Sequence, residues 1–505
     1  MKNFGAILFL KLFFLQTIFA QQAPSKDNNT AENKPVTIAT VKEYLKKLQA
    51  EPDFKYTTIG FSLKSTSNPK ALADVNANKS LAVASNTKLF TTSAALDILG
   101  EDFTFKTILE YTGKIDPAGT LNGDLIIRGS GDPTLCADRL KTTQDINDWY
   151  KLLIEKIKAV KIKRIKGHVV IDQDIFDYNA TPDNWLWTDI GNYYGAGAYG
   201  FNFNENYFRL YFNKNTTVGS KAEVLKTDPS IADLQWLSTA TIGEKGTGDN
   251  CYIYGVPYTY FRFLQGTIPP SDVSFWIKGA MPDPPLQAAQ IFAGVLMIGG
   301  IANGGATTSR LLTLQGKPLA TERKNIYTHT SIPLKEIVSF TNLWSVNLYA
   351  EALLKTIAVS KGQKGTTQAG AKIVEEWLKE KEIKTAGFQM FDGCGLSPFS
   401  SFTAEQITEL LKYNTQTKYF KTFNESLPLA GATGTLTNFG KGTKIENNVR
   451  AKTGNMQKVA SYAGYISDAN GNRLCFSFII NNFTVDNLVI RKKVEKLLGL
   501  IAEMR

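Results

Sequence analysis

Residues 81–100 read LAVASNTKLFTTSAALDILG. A polar start, Ser85-Asn86-Thr87-Lys88, runs into apolar positions at Leu89, Ala94, Ala95 and Leu96, and this spacing predicts a helix over residues 85–98. Residues three apart lie on one side of a helix, so Ser85 and Lys88 face the same way. Amides at the helix start also favour negative charge developing beside Ser85. The pair has two readings: a nucleophile with its base, or an N-cap serine followed by an ordinary lysine. Ser-x-x-Lys spacing arises about twice by chance in a chain of ordinary composition. A second copy, Ser67-Asn68-Pro69-Lys70, is present, but its proline makes a turn and separates the two side chains.

Two other motifs bear on the choice. Ser345-Val346-Asn347 is the only Ser-x-Asn in the chain, and it lies in a stretch predicted as one helix over residues 335–358. Polar side chains there must be hydrogen-bonded or face a cavity. Lys452-Thr453-Gly454 is the only Lys-Thr-Gly, on a predicted strand just before a hairpin whose turn is Asp468-Ala469-Asn470-Gly471-Asn472. A glycine in a strand marks a place where something approaches the backbone closely. Taken singly, these are a satisfied polar pair in a helix interface and a turn glycine. Taken together, the order Ser-x-x-Lys, Ser-x-Asn, Lys-Thr-Gly is the signature of penicillin-binding proteins and serine β-lactamases.

The totals agree with an exported folded enzyme. In 505 residues, 43% are hydrophobic and 20% charged, which describes folded domains, two or three of them at this length. The formal charge of +11 is spread along the chain, with short clusters such as KIKAVKIKRIK at 156–166. No zinc-finger spacing or RNA-binding signature accompanies it, so no nucleic-acid partner is expected. Such a surface suits anionic cell-wall polymers or peripheral contact with an anionic membrane. Residues 1–20, with Lys2, an apolar run and Ala20, read as a cleaved signal peptide, and the polar residues 21–37 as a linker. No later segment reaches about 18 uninterrupted apolar residues. The expected location is therefore outside the inner membrane, in the periplasm.

Cys136, Cys251, Cys394 and Cys475 allow three disulfide connectivities or none, and their spacing matches no zinc motif. There are only two histidines, His168 and His329, and no Gly-x-Ser-x-Gly elbow. A serine enzyme built from this chain would take its base from another residue type, and neither metal nor cofactor is expected.

Along the chain, a helix is predicted at 38–50, then a strand, a turn and a second strand. From about 105 to 320, short β-like runs (LNGDLIIRGSGDPTL, GHVVIDQ, NYFRLYFN, NCYIYGVP) alternate with turns. Helical patterns return at 335–358, 367–383 and 403–413, followed by the hairpin and a last helix near 484–503. This predicts one catalytic domain in two parts, residues 38–105 and 321–505, interrupted by one or two β-rich domains at 106–320.

That long insertion between the first and second motifs resembles the class C penicillin-binding proteins, the D-alanyl-D-alanine carboxypeptidase/endopeptidase family. LNGDLIIRGSGDPTL (121–135), WTDIGNYYGAGAYGFNFNENYF (187–208), SIPLKEIVSFTNLWSVNLYAEALL (331–354), FDGCGLSPFSSFTA (391–404) and LPLAGATGTL (427–436) are similar to that family's segments. The likeness runs from about residue 40 to 495. It implies an α+β penicillin-binding/serine β-lactamase-like transpeptidase fold, an antiparallel sheet flanked by helices, with a large β-rich insertion. It also implies acyl transfer through an ester on Ser85. Lys88 would be the general base, and Lys452 would tune it and attract the substrate carboxylate. Ser345 would relay a proton to the leaving amine, and Asn347 would orient Lys88 and a substrate amide. Thr453 would hold the substrate carboxylate, with Gly454 letting the substrate approach the strand. The backbone N–H groups of Ser85 and Asn455 would form an oxyanion hole, each donor contributing about 3–4 kcal/mol. The implied substrates are the D-Ala-D-Ala ends of peptidoglycan peptides or their D-centred cross-links, with β-lactams as covalent inhibitors.

Three departures from the family pattern stand out. Val346 replaces a frequent aspartate, Asn455 a usual serine or threonine, and Cys394 a loop serine. Two other readings remain: a β-lactamase or esterase on the same fold, and a non-catalytic wall-binding protein. The chain lacks the Glu-x-x-Leu-Asn segment with which class A β-lactamases activate water, and a scaffold would have no need of all the polar motif residues.

Overall fold

The computed structural model describes residues 35–68, 71–140 and 145–505. The expected signal peptide and the linker up to residue 34 lie outside the described residues, as does part of the turn at 67–70. Among the described residues, no helix is long and apolar enough to cross a membrane.

The C-terminal hairpin forms as its turn chemistry dictates. Asp468 accepts hydrogen bonds from the Asn470 and Asn472 amides, and Gly471 takes a left-handed φ of 80°. The two strands it joins, Val459–Ser467 and Arg473–Asn481, are two of the three inner strands of a five-stranded antiparallel sheet. Its order is Ala71–Val75, Thr58–Ser65, Arg473–Asn481, Val459–Ser467, Arg450–Met456. Successive side chains point to opposite faces. Phe476, Phe478 and Ile480 pack with the helices Ile38–Ala50 and Asn487–Glu503 on one face. Cys475 and Ile479 pack into a layer of helices on the other.

At the centre of that layer is the helix Thr87–Leu99, buried continuously from Thr87 to Leu96. A helix buried all round must satisfy its polar side chains internally. Thr91 Oγ1 donates to Gly393 O (2.6 Å), Thr92 Oγ1 to Lys88 O (2.7 Å), and Ser93 Oγ accepts from Asn414 Nδ2 (2.8 Å). The predicted start is shifted slightly: residues Ala84–Asn86 form a 3₁₀ turn that leads into the helix.

The predicted single helix at 335–358 is instead two, Leu334–Leu343 and Asn347–Ser360. The break falls on the second motif, where Ser345 takes a left-handed φ of 58°. A non-glycine residue pays for that conformation, and local contacts must hold it there.

Within residues 106–330 a second, mixed sheet forms. Its order is Ala306–Thr308, Val169–Asp172, Leu125–Arg128, Lys106–Tyr111, Lys324–Thr330. Smaller sheets follow, including Val224–Asp228/Tyr207–Phe212/Phe275–Ala280 and Gln235–Ser238/Phe261–Gln265/Tyr252–Tyr254. The sequence reading of this region as strands alone missed two long helices, Ile146–Ala159 and Pro284–Ile298. Both carry clear start signals: Asp145 and Asp283 accept from backbone amides three residues on, and Pro284 follows the second cap. They bury Trp149, Tyr150, Leu153, Phe292 and Leu296 in the core of this region.

Fully buried Lys355, on Asn347–Ser360, ties the region to the helical layer. Its amine pairs with Asp177 (2.8 Å) and donates to the carbonyls of Asn179 (2.8 Å) and Ala198 (3.2 Å). Lys355→Met keeps the stem but strands these acceptors. It is expected to lower the unfolding free energy by about 3 kcal/mol, read from urea denaturation.

Candidate active site

The break between the two helices, the start of Thr87–Leu99 and the strand Arg450–Met456 meet at a cleft of about 1000 Å3 whose wall includes Ser85, Ser345, Asn347 and Asn455. Three motifs separated by hundreds of residues thus converge. Ala84 has a left-handed φ of 48°, which turns the chain sharply before Ser85. Two glycines permit that turn. A Cβ at Gly395 would run into Ala84 O, and a Cβ at Gly454 would collide with Val83 O and sit 2.9 Å from Ser85 N. Ser461 Oγ donates to Val83 O (2.6 Å), fixing the turn to the sheet. Gly454 is therefore a close-approach glycine, and what it lets in is the backbone of Val83 and Ser85.

Lys88 is fully buried. Its Nζ lies 2.9 Å from Ser85 Oγ, 2.7 Å from Asn347 Oδ1 and 2.7 Å from Cys394 O. Asn347 Nδ2 donates to Tyr194 O (2.8 Å), which fixes the amide with its oxygen toward Lys88. Ser85 Oγ, Asn347 Oδ1 and Cys394 O thus surround the amine on three sides.

Lys452 is likewise fully buried, with Nζ 2.9 Å from Ser345 Oγ and 2.7 Å from Thr453 O. The left-handed turn at Ser345 is what presents its hydroxyl to this amine. Thr453 Oγ1 donates to Thr435 Oγ1 (3.1 Å). Burial pushes Lys452 well below the usual lysine value, and the nearby charge of Lys88 pushes it further. Burial also lowers Lys88, opposed by Cys394, Asp392 and Glu351 beneath it.

Sequence reasoning missed that underlying layer. Asp392 is caged by donors: Gly395 N (3.0 Å) and Ser400 Oγ (2.9 Å) on one oxygen, Ser397 N (2.6 Å) and Trp185 Nε1 (3.0 Å) on the other. Glu351 Oε1 accepts from Gly393 N (2.7 Å), while Oε2 is buried without a partner. Burial first, and then the Asp392 charge, push Glu351 up to about 8. Glu351 lies four residues after Asn347, one helical turn on the same face, and that spacing was its only signal.

Among the described residues, Glu351, Asp392 and Cys394 are the one group with metal-ligand atoms close together, within 4.8 Å of one another. Both Asp392 oxygens are already engaged by N–H and O–H donors, so the group reads as electrostatic support for Lys88. All four cysteines, Cys394 included, are buried free thiols.

A serine whose hydroxyl meets a buried lysine, on an antiparallel sheet packed between helices, defines a serine peptidase of the penicillin-binding type. The chain belongs to the D-Ala-D-Ala carboxypeptidase 3 (S13) family, whose model matches residues 41–504. It is 27% identical over 444 residues to the D-alanyl-D-alanine carboxypeptidase DacB of Haemophilus influenzae, covering 86% of this chain and 88% of that one. It is 28% identical over 466 residues to a D-alanyl-D-alanine carboxypeptidase of an Actinomadura species, covering 90% of this chain and 82% of the relative. The crystal structure of penicillin-binding protein 4 from Haemophilus influenzae shares the fold, with a TM-score of 0.74 at 23% identity over 92% of this chain and 97% of that one. That protein has also been solved in complex with a β-lactam.

Two outcomes are expected. Gly454→Ala drives the strand off the Ser85 turn, so acylation by a fluorescent penicillin slows by about 100-fold or more, read by gel labelling over time. Glu351→Gln reports the buried acid. Native Glu351 keeps its proton up to about pH 8, whereas the unfolded chain releases it near the ordinary carboxylate value of 4.5. The wild type therefore loses stability relative to the variant as pH rises between these values, and urea midpoints at pH 5 and pH 8 should diverge in the variant's favour.

Proposed function

We propose that the chain is a serine D-alanyl-D-alanine carboxypeptidase acting on peptidoglycan stem peptides through an ester on Ser85. The observation that carries this reading is the threefold environment of Lys88 Nζ, with Ser85 Oγ, Asn347 Oδ1 and Cys394 O all within 2.9 Å. An alcohol needs an adjacent base to attack at neutral pH, and Lys88 is the amine in contact with it. Ser85 Oγ attacks the carbonyl of the penultimate D-alanine as Lys88 takes its proton. The tetrahedral oxyanion is held by the backbone N–H groups of Ser85 and Asn455. Its collapse expels the terminal D-alanine, whose amine takes a proton through Ser345, itself bonded to Lys452. The proton that Lys88 took from Ser85 replaces the one given to the amine; water then attacks the ester, one of its protons passes through Lys88 to Ser85 Oγ as that oxygen leaves, and the shortened peptide departs with a new carboxyl group.

Thr453 and Lys452 favour the substrate carboxylate, Thr453 being partnered by Thr435. Asn455 stands on the cleft wall where the family pattern carries a hydroxyl, and an amide there offers a longer donor. A β-lactam enters as a mimic of the D-alanyl amide and acylates Ser85. The catalytic unit is residues 38–105 and 321–505, with 106–320 inserted, and export to the periplasm places it beside its polymer. A cleft of about 1000 Å3 has room beyond a dipeptide end, which favours D,D-endopeptidase action on cross-links as a second activity.

Ser85→Ala is expected to abolish covalent labelling by a fluorescent penicillin and to cut D-alanine release by about 10⁴-fold or more. Labelling that persists in the variant overturns the assignment. Mass spectrometry of peptidoglycan fragments separates the two activities: loss of one alanine reports carboxypeptidase, a severed dimer endopeptidase. Rapid multiple turnover of a chromogenic cephalosporin would instead make the chain a β-lactamase.

A further inference from the structure

The small sheet Gln235–Ser238/Phe261–Gln265/Tyr252–Tyr254 has one buried face, carrying Ile253, Arg262 and Leu264. A sheet with its other face in water ordinarily puts polar residues there. This one presents rings. Tyr252 and Tyr254 alternate with Ile253 on one strand, and Tyr254 pairs directly with Phe263 on the next, so these rings share the outer face with Phe261. Phe261 is 51% exposed and Tyr252 45%, and Trp187, on the short helix Trp187–Ile190, adds a ring that is 54% exposed. The rings form a continuous strip: Trp187 to Tyr254 is 5.8 Å between centroids, Tyr254 to Tyr252 6.5 Å, and Tyr254 to Phe263 5.7 Å. An exposed patch of this kind marks a binding surface.

Its position selects the ligand. Tyr252 and Tyr254 also line the cleft that contains Ser85, so the strip continues directly out of the reaction site. The substrate of the proposed reaction is a short peptide hung on a strand of N-acetylated hexosamines. Four residues upstream of the scissile bond reach at most about 14 Å, so the sugar end emerges at the rim of the cleft. The polarised C–H face of a pyranose packs on the negative face of an aromatic ring. Gln265, exposed on the same sheet face opposite Tyr252, offers an amide to an acetamido group.

We propose that this aromatic face is a glycan-binding subsite, which holds the sugar strand of the polymer while Ser85 works on its peptide. It rests on the reading of Ser85 as a stem-peptide hydrolase. It makes polymer-borne peptides better substrates than free ones.

The test uses the double variant Trp187→Ala/Phe261→Ala, whose side chains lie outside the cleft lining. Release of D-alanine from a soluble stem pentapeptide should stay within twofold of wild type, while release from intact sacculi falls at least tenfold. Binding of tetra-N-acetylchitotetraose to Ser85→Ala, followed by NMR, should disappear when the double substitution is added and return with Trp187→Phe/Phe261→Tyr. Equal losses on pentapeptide and sacculi, no chitotetraose binding to Ser85→Ala, or a dimer abolished by the double variant, would each overturn the subsite. A wild type inert toward the pentapeptide would remove the peptidase reading instead, and the sugar titration would still decide the subsite.

Discussion

A lysine amine sealed from water against a serine hydroxyl is the constraint from which the rest of the site follows. Charged and alone, it would be costly to bury, so the protein either pairs it or strips its proton. Here Ser85 Oγ, Asn347 Oδ1 and Cys394 O surround the amine and take its hydrogen bonds. A second buried amine, Lys452, raises the cost of holding two charges, while the Asp392 carboxylate below limits how far Lys88 falls.

Much of this was legible because the chemistry is carried by residue types at fixed spacings. Ser85 and Lys88 are one helical turn apart, and Lys452 to Gly454 lie on a strand with a recognisable hairpin behind it. The strands of the five-stranded sheet and most of its helices could be read one by one from apolar periodicity and from turn residues such as those at 468–472, whereas their assembly into one sheet came only from the resemblance. The convergence of the three motifs could not be read locally; it was inferred from their order and resemblance, and the sheet and helices supply it.

What escaped the sequence has a common physical origin. The partners of Lys88 include a backbone carbonyl, Cys394 O, and the orientation of Asn347 depends on another, Tyr194 O. Any residue carries a carbonyl, so composition gives no hint of either. Ser345 breaks its helix through tertiary contacts that override an apolar, helix-favouring neighbourhood. The helices Ile146–Ala159 and Pro284–Ile298 were hidden by short β-like runs on either side, although Asp145 and Asp283 were legible caps.

The Lys355 tie has a consequence for how large substrates arrive. Swinging the segment that holds Asp177, Asn179 and Ala198 away from the helix Asn347–Ser360 would pull the shielded amine from one carboxylate and two carbonyls at once. That penalty argues for a mouth of fixed width rather than a jaw.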